Sequence, residues 1–121
     1  MIYVENLMQA PYEIEGAVVF GRNLKIRKMG KLLKYVLEYA YQNNPLIFMQ
    51  MIKCGALGVT RHWERKSIIE NINNKDKLKQ PSQICNSRWY IDTQIGRQEA
   101  LVILKTIISE VDLQKRIAVI M

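Results

Sequence analysis

Basic side chains are concentrated in two stretches of the chain, and their types and spacing suit the binding of phosphate groups. The first stretch carries Thr60, Arg61, His62, Arg65 and Lys66, which a helix would present to a DNA major groove. The second stretch adds cations that neutralise phosphates and short polar groups that bond to a DNA backbone or minor groove. Its members are Lys75, Lys77, Lys79, Ser82, Gln83, Asn86 and Arg88.

The overall charge agrees with such a partner. The 121 residues include 18 Lys and Arg against 11 Asp and Glu, a formal net charge of +7 that favours a polyanion such as nucleic acid. A soluble protein that is merely basic stays open as an alternative. The two cysteines, Cys54 and Cys85, lie far apart and suggest neither a disulfide scaffold nor a zinc site. No apolar stretch is long enough to cross a bilayer, so we expect a soluble, cytoplasmic protein without a membrane partner.

Catalytic patterns are missing from the sequence. His62 is the only histidine, and no acid or thiol stands at a catalytic or metal-binding spacing from it. There is no glycine-rich phosphate loop and no supported carboxylate pair, and Asp92 and Asp112 are interpreted as helix-end or surface groups. We therefore expect no enzymatic activity, no metal and no cofactor.

Two amphipathic or apolar helices are predicted to begin the main domain, residues 29–121. Residues 1–28 look like an extension, a flexible arm or a hairpin built from strand-like pieces at 17–20 and 24–27. From Gly30 the apolar residues recur at helical spacing, and Asn44-Pro45 ends that helix and starts a second one to about Lys53. The second helix is apolar nearly all round and is predicted to be buried.

The segment after the second helix resembles the helix-turn-helix of bacterial and archaeal regulators. Cys54 is the small residue where two helices pack, Gly58 is suited to the turn, and Val59-Thr60 opens a recognition helix predicted over about 60–73. The alternative is a helical hairpin whose charged face is merely solvated.

A wing is predicted next, from a strand near 77–80, a polar tip and a strand from Arg88 to Asp92. The exit Arg88-Trp89-Tyr90, then Thr93, Gly96 and Arg97, resembles the end of the wing in PadR-like and MarR-like winged-helix proteins. The fold that this resemblance implies is mainly α with a small β wing, a winged helix-turn-helix dimerising through a long C-terminal helix.

That last helix, predicted over about 97–116, presents more apolar surface than one small winged domain would cover. A homodimer is the simplest way to bury it, although completion of the monomer core is the alternative. The predicted interface residues are Leu101, Leu104, Ile108 and Val111.

From Met29 onwards the chain also resembles the centromere-binding proteins of archaeal plasmid partition systems. The residues that carry this resemblance are Met29 to Tyr35, Leu57 to Arg61 and Arg88 to Arg97. It implies a dimer that binds a palindromic double-stranded DNA site, spreads along DNA, and connects through a ParB-like adaptor to a ParA-type ATPase. A PadR-like or MarR-like transcriptional repressor is the first alternative, and a helical protein-interaction module is the second.

Overall fold

Helices and antiparallel strands both contribute to the core of this protein. The structure, a computed structural model, describes residues 1–58 and 67–121 and the backbone of 60–61 and 64–65. Within these residues the α-helices are α1 (Met29–Asn43), α2 (Pro45–Lys53) and α3 (Arg97–Glu110). The strands are β1 (Ile2–Tyr3), β2 (Gly16–Val19), β3 (Arg22–Leu24), β4 (Thr60–Arg61), β5 (Glu64–Arg65), β6 (Ile69–Asn71), β7 (Pro81–Gln83), β8 (Trp89–Asp92) and β9 (Ile117–Ile120). The observed class is mixed helix and antiparallel sheet, with more strand than the small predicted wing.

The first two helices confirm the sequence prediction. Helix α1 ends at Asn43, and α2 begins at Pro45, which occupies the first position of the helix. The Asn44 side chain accepts a hydrogen bond from the Ile47 N–H at 3.3 Å and so caps α2. The apolar stripe of α1 is buried as the spacing predicts, at Leu32, Val36 and Ala40 among others.

Helix α2 lies at the surface, although its sequence is apolar nearly all round. Phe48 is buried against the Tyr41 ring, with the centroids 5.2 Å apart, whereas Leu46 is 79% exposed. The prediction that α2 is buried is therefore wrong, because its main neighbours, α1 and the short 3-10 helix Ala56–Gly58, cover only one side. No helix within the described residues is both long and apolar enough to span a membrane.

Where the structure describes the segment predicted as a recognition helix, it contains strands and, from Ile72, a 3-10 helix. Strands β4 and β5 pair with each other, and β6 pairs with β8. Ile69 lies opposite Ile91 in β8, and both are buried. Pairing of the two strands therefore forms the backbone hydrogen bonds and removes both apolar side chains from water. The turn also differs, since Gly55, with φ +87°, and not Gly58 adopts the left-handed conformation. The helix-turn-helix prediction is therefore wrong in this segment.

Strands β6, β8 and β7 form a three-stranded antiparallel sheet, in that order, which we call the wing sheet. The predicted wing hairpin is present as β7 and β8. Its first strand begins at Pro81 and not at Lys77, because the 3-10 helix Ile72–Lys77 takes up the preceding residues. The backbone N–H groups of Lys79 and Gln80 then bond to the Asp92 carboxylate at 3.1 and 3.2 Å.

Helix α3 packs against α1 and completes the core of the single chain. Leu101, Leu104 and Ile108 are at most 1% exposed, and Val111 is partly buried against the same core. The prediction that Leu101, Leu104 and Ile108 form a dimer interface is wrong, because the alternative, completion of the monomer core, is what buries them; for Val111, which is only partly buried, it stays a prediction. The helix also ends at Glu110, before the predicted end near Arg116, and the chain turns into β9.

The two ends of the chain form a four-stranded antiparallel sheet, which we call the terminal sheet. Its order is β1-β9-β2-β3, so the last strand lies between two strands from the first 28 residues. Strands β2 and β3 make the hairpin predicted there. Val4, Ala17 and Val19 are fully buried and join the same core as the helices. Residues 1–28 are thus part of the core and not a flexible extension.

Candidate nucleic-acid interface

The wing sheet holds a group of cations beside its central strand. The Ile72 N–H donates a hydrogen bond to the Arg88 carbonyl oxygen at 2.7 Å, which fixes the 3-10 helix Ile72–Lys77 against the start of β8. Lys77, Lys79 and Arg88 are exposed, and Lys75 is partly buried. We call these four residues the wing surface. They are the four cations that the sequence selected for phosphate contacts, and the fold brings them to the 3-10 helix and the turns that flank the wing sheet.

One member of the wing surface also packs on an aromatic ring. The Lys75 Nζ lies 5.2 Å from the centroid of the Tyr90 ring, a cation–π distance. Three carboxylates belong to the same sheet and its flanking 3-10 helix, Glu70, Asp76 and Asp92, and Asp92 is engaged by backbone N–H groups, so the four cations outnumber the acids there. The wing surface is therefore locally positive, as a phosphate-binding surface requires.

Asp92 organises the base of the wing, a role that the sequence analysis missed. Its side chain is 3% exposed, and its carboxylate accepts hydrogen bonds from the backbone N–H groups of Lys79, Gln80 and Gln94 at 2.9 to 3.2 Å. Such charge-assisted bonds fix the turn that carries Lys79. The interpretation of Asp92 as a helix-end or surface group is wrong. The hydrogen bond from the Gln94 N–H, two residues further along the chain, forms an Asx-turn. An aspartate at the end of a predicted strand is the sequence signal that indicates such a turn.

The short polar residues of the predicted wing are mostly engaged within the protein. The Ser82 Oγ accepts a hydrogen bond from the Lys34 Nζ at 2.7 Å, and the Gln83 Nε2 donates to the Ser87 carbonyl at 2.9 Å. Asn86 is exposed at the tip. The tip itself is anchored by Ile84, which is fully buried, and is therefore not the polar loop that the sequence predicts.

The remaining predicted DNA contacts lie on or near the β4–β5 hairpin. Thr60 and Arg61 belong to β4 and Arg65 to β5, with Thr60 opposite Arg65 in the pairing register. His62 and Lys66 lie outside the described residues, as do Val59 and Trp63. The backbone of Arg61 and Arg65 is thus in strands and not in the predicted helix.

A second group of cations surrounds a groove between the N-terminal ends of α1 and α3, which we call the α1–α3 groove. Its cavity has a volume of about 670 Å³. The cations are Lys28, Lys31 and Lys34 near the start of α1 and Arg97 at the start of α3. No local sequence pattern marks these four cations as a group, because only the packing of α1 against α3 brings them together.

Cys85, at the tip of the wing, lies against helix α1. Its backbone N–H donates to the Glu38 Oε2 at 3.3 Å, and its Sγ lies 3.7 Å from the same oxygen. Burial raises the pKa of the Cys85 thiol above its ordinary value, and the neighbouring Glu38 carboxylate raises it further. The thiol is therefore a protonated, unreactive group at neutral pH.

Neither metal-ligand geometry nor comparison with known proteins indicates a function for these surfaces. Within the described residues, no group of three or more His, Cys, Asp and Glu side chains is arranged to hold a metal ion. Comparison with protein-family models, with characterised proteins and with solved structures found no match to this chain. The assignment of function therefore depends on the wing surface, the hairpin and the groove themselves.

Proposed function

We propose that this protein binds double-stranded DNA and that the wing surface supplies its phosphate contacts. The observation that carries the proposal is the fixed grouping of Lys75, Lys77, Lys79 and Arg88 beside β8. Cations on turns that hydrogen bonds fix to a sheet lose less conformational entropy on meeting phosphates than cations on a flexible segment. The net charge of +7 adds a long-range attraction to the same partner.

Base recognition in this proposal belongs to the β4–β5 hairpin and not to a recognition helix. The major groove of DNA admits either an α-helix or a two-stranded antiparallel ribbon. The hairpin is such a ribbon, and its sequence includes Arg61 and Arg65, the side-chain type that most often reads guanine. What remains of the winged-helix expectation is the helix pair α1–α2 followed by the β7–β8 wing.

The biological role that we propose is DNA segregation, on the resemblance of residues 29–35, 57–61 and 88–97 to centromere-binding partition proteins. A dimer on a palindromic site, linked through a ParB-like adaptor to a ParA-type ATPase, belongs to this proposal. Because Leu101, Leu104 and Ile108 are buried within one chain, the proposed dimer needs a different interface.

A salt titration of duplex binding by fluorescence anisotropy tests the DNA proposal. The variant Lys77→Gln/Lys79→Gln/Arg88→Gln removes three exposed cations from the wing surface. Each phosphate contact contributes about 0.9 to the slope of log K against log salt, so the slope should fall by about 2 to 3. Affinity should weaken alike for all sequences, whereas Arg61→Ala and Arg65→Ala should reduce the preference for one site.

The matched control is Lys53→Gln/Lys115→Gln/Arg116→Gln, which removes the same charge at exposed positions away from the wing. The control should keep most of the slope of the natural chain. Absence of binding to any duplex at low salt would overturn the DNA proposal. Equal losses in the two triple variants would show that net charge and not the wing surface binds DNA.

A further inference from the structure

The α1–α3 groove has the dimensions and the lining of a small-molecule site, independently of the wing surface. Its volume of about 670 Å³ lies within the range of about 300 to 1,000 Å³ that is usual for such sites. One wall is the start of α1, and the other is the end of β8 with the turn into α3. Gly30 and Ile95 mark how near the two walls come, since a Cβ built on Gly30 would lie 3.8 Å from the Ile95 Cγ1.

The charge around the groove favours an anion. Four cations line it, Lys28, Lys31, Lys34 and Arg97, against the carboxylates of Glu38 and Asp92. Both carboxylates are already engaged. Asp92 accepts backbone N–H bonds at the base of the wing, and the Glu38 Oε2 accepts the Cys85 N–H. Among the cations, the Lys34 Nζ donates to the Ser82 Oγ and Arg97 packs on the Tyr12 ring, so Lys28 and Lys31 are the cations most available to a ligand phosphate.

The start of helix α1 adds positive potential to the same wall. Its N-cap residue, Lys28, makes no side-chain capping bond, and its first turn contains no acidic residue. The first N–H groups of a 15-residue helix carry the positive end of its dipole and are suited to bind phosphate. Gly30 in that first turn lies against the Ile95 side chain, so the neighbouring Lys28 and Lys31 are the positions from which the wall can meet a ligand.

Aromatic and apolar side chains supply the rest of the lining. Tyr12 stands at the rim and is 83% exposed, with the Arg97 guanidinium 4.7 Å from its ring centroid. Tyr35, Ile26 and Ile95 contribute further apolar surface. Planar heterocycles stack on such rings and on arginine, so a ligand with a flat base and a phosphate would meet complementary groups at both ends.

We propose that the α1–α3 groove binds a free mononucleotide, with its phosphate at Lys28, Lys31 and the start of α1 and its base beside Tyr12 and Arg97. The same chemistry could come from one nucleotide of a DNA strand, and the experiment separates the two sources. The proposal does not depend on DNA binding by the wing surface.

Chemical-shift titration with the four 5′-mononucleotides, inorganic phosphate and adenosine tests the proposal. At least one mononucleotide should bind more tightly than phosphate or adenosine, and it should shift the amide signals of residues 28–31. Lys28→Gln/Lys31→Gln should weaken that mononucleotide about tenfold or more, the effect of losing a charge-assisted hydrogen bond. Tyr12→Ala should weaken the mononucleotide but leave phosphate binding unchanged.

The control pair Lys53→Gln/Arg116→Gln has the same net charge as the groove pair and should bind the mononucleotide as the natural chain does. Equal weakening in both pairs, or no saturable binding of any mononucleotide, would overturn the proposal. Displacement of the mononucleotide by duplex DNA, together with loss of duplex affinity in the groove pair, would assign the groove to a DNA phosphate and overturn the free ligand. Unchanged unfolding curves verify that each variant is folded.

Discussion

The terminal sheet and the wing sheet are both antiparallel, but the chain builds them in opposite ways. The terminal sheet joins strands from residues 2–24 to a strand at 117–120, almost the full length of the chain apart. The wing sheet uses strands within residues 69–92. Closing a long loop costs conformational entropy, so the terminal sheet needs extensive apolar burial to form. The wing sheet closes shorter loops and needs less apolar burial to form, so its flanking segments can carry charged side chains.

The interactions within each sheet follow from that difference. In the terminal sheet, Ala17, Val19, Ile117 and Val119 are all fully buried. In the wing sheet, Ile69 and Ile91 supply the apolar contact, and the Asp92 carboxylate fixes the flanking turn by hydrogen bonds. Both sheets therefore contribute buried residues to one core, but the turn that carries Lys79 is fixed by local hydrogen bonds to Asp92, whereas the terminal sheet depends on pairing between distant parts of the chain.

Removal of residues 117–121 is predicted to have the largest effect on stability and tests the role of the terminal sheet directly. Without β9, strands β1 and β2 lose their common partner and Val19 loses its cover. The loss should exceed the total stability of a small domain, about 5 to 15 kcal/mol, so circular dichroism should show an unfolded chain. Removal of Met121 alone, which is 56% exposed, should leave a cooperative transition. A cooperative transition in the longer truncation would contradict the central role of this sheet.

Asp92→Ala should be the most damaging single change in the wing sheet. It leaves three backbone N–H groups without their acceptor and should lower the free energy of unfolding by about 3 kcal/mol. Asp92→Asn keeps one acceptor oxygen and should cost less. Urea denaturation measures both values, and Asp76→Asn, at an exposed residue, should change stability by less than about 0.5 kcal/mol. A neutral effect of Asp92→Ala would show that the carboxylate does not hold the turn.

Gly16→Ala probes the packing of the terminal sheet. A Cβ at this position would lie 2.8 Å from the Leu24 carbonyl oxygen of the paired strand, so β2 and β3 would have to separate. Overpacking of this kind costs about 1 to 3 kcal/mol in a thermal or urea melt. Gly58→Ala is the matched control, because no atom lies within 4 Å of a Cβ built there. Equal stabilities of the two variants would contradict the close approach of β2 to β3.

The triple substitution of Lys77, Lys79 and Arg88 by glutamine should hardly change stability. These side chains are exposed, and a surface substitution usually alters the free energy of unfolding by less than about 0.5 kcal/mol. The same urea melts provide the measurement. A loss of several kcal/mol would mean that the wing surface stabilises the fold and would remove the contrast between the two sheets.

The smallest predicted effect concerns the Cys85 thiol at the tip of the wing sheet. Because its pKa is raised, the neutral thiol is favoured in the folded protein, and the stability this contributes is lost as pH rises above the ordinary thiol value. In a Cys54→Ser background, alkylation by iodoacetamide should therefore accelerate only at alkaline pH. Glu38→Gln should move the rate profile to lower pH, since it removes the neighbouring negative charge. An unchanged profile would exclude Glu38 as a cause.

Local signals predicted local structure well in this chain. The Asn44-Pro45 step located the boundary of α1 and α2, and three of the four predicted wing cations, Lys77, Lys79 and Arg88, are exposed. The β2–β3 hairpin, one of two alternatives for its segment, and the β7–β8 wing were also foreseen, each with one strand shifted along the sequence. These features depend on backbone preferences and side-chain types within a few residues, which a single sequence records.

The errors arose where partners came from elsewhere in the chain. An apolar stripe on α3 indicated burial but could not indicate whether the cover was a second copy or the rest of the same chain. By its type alone, Ile69 is compatible with a helix or a strand, and only its pairing with Ile91 in the folded chain selects the strand. The α1–α3 groove has no local signature, since its cations belong to two helices that are adjacent only after folding.

Composition and local patterns alone establish that the chain is basic, that two helices meet at a proline, and that lysines precede a hairpin. Tertiary structure alone decided that β9 lies between β1 and β2, that the stripe of α3 is internal, and that Lys28, Lys31, Lys34 and Arg97 surround one groove. The physical reason is that propensity and hydrophobic period specify which surface is buried, whereas long-range packing specifies what buries it.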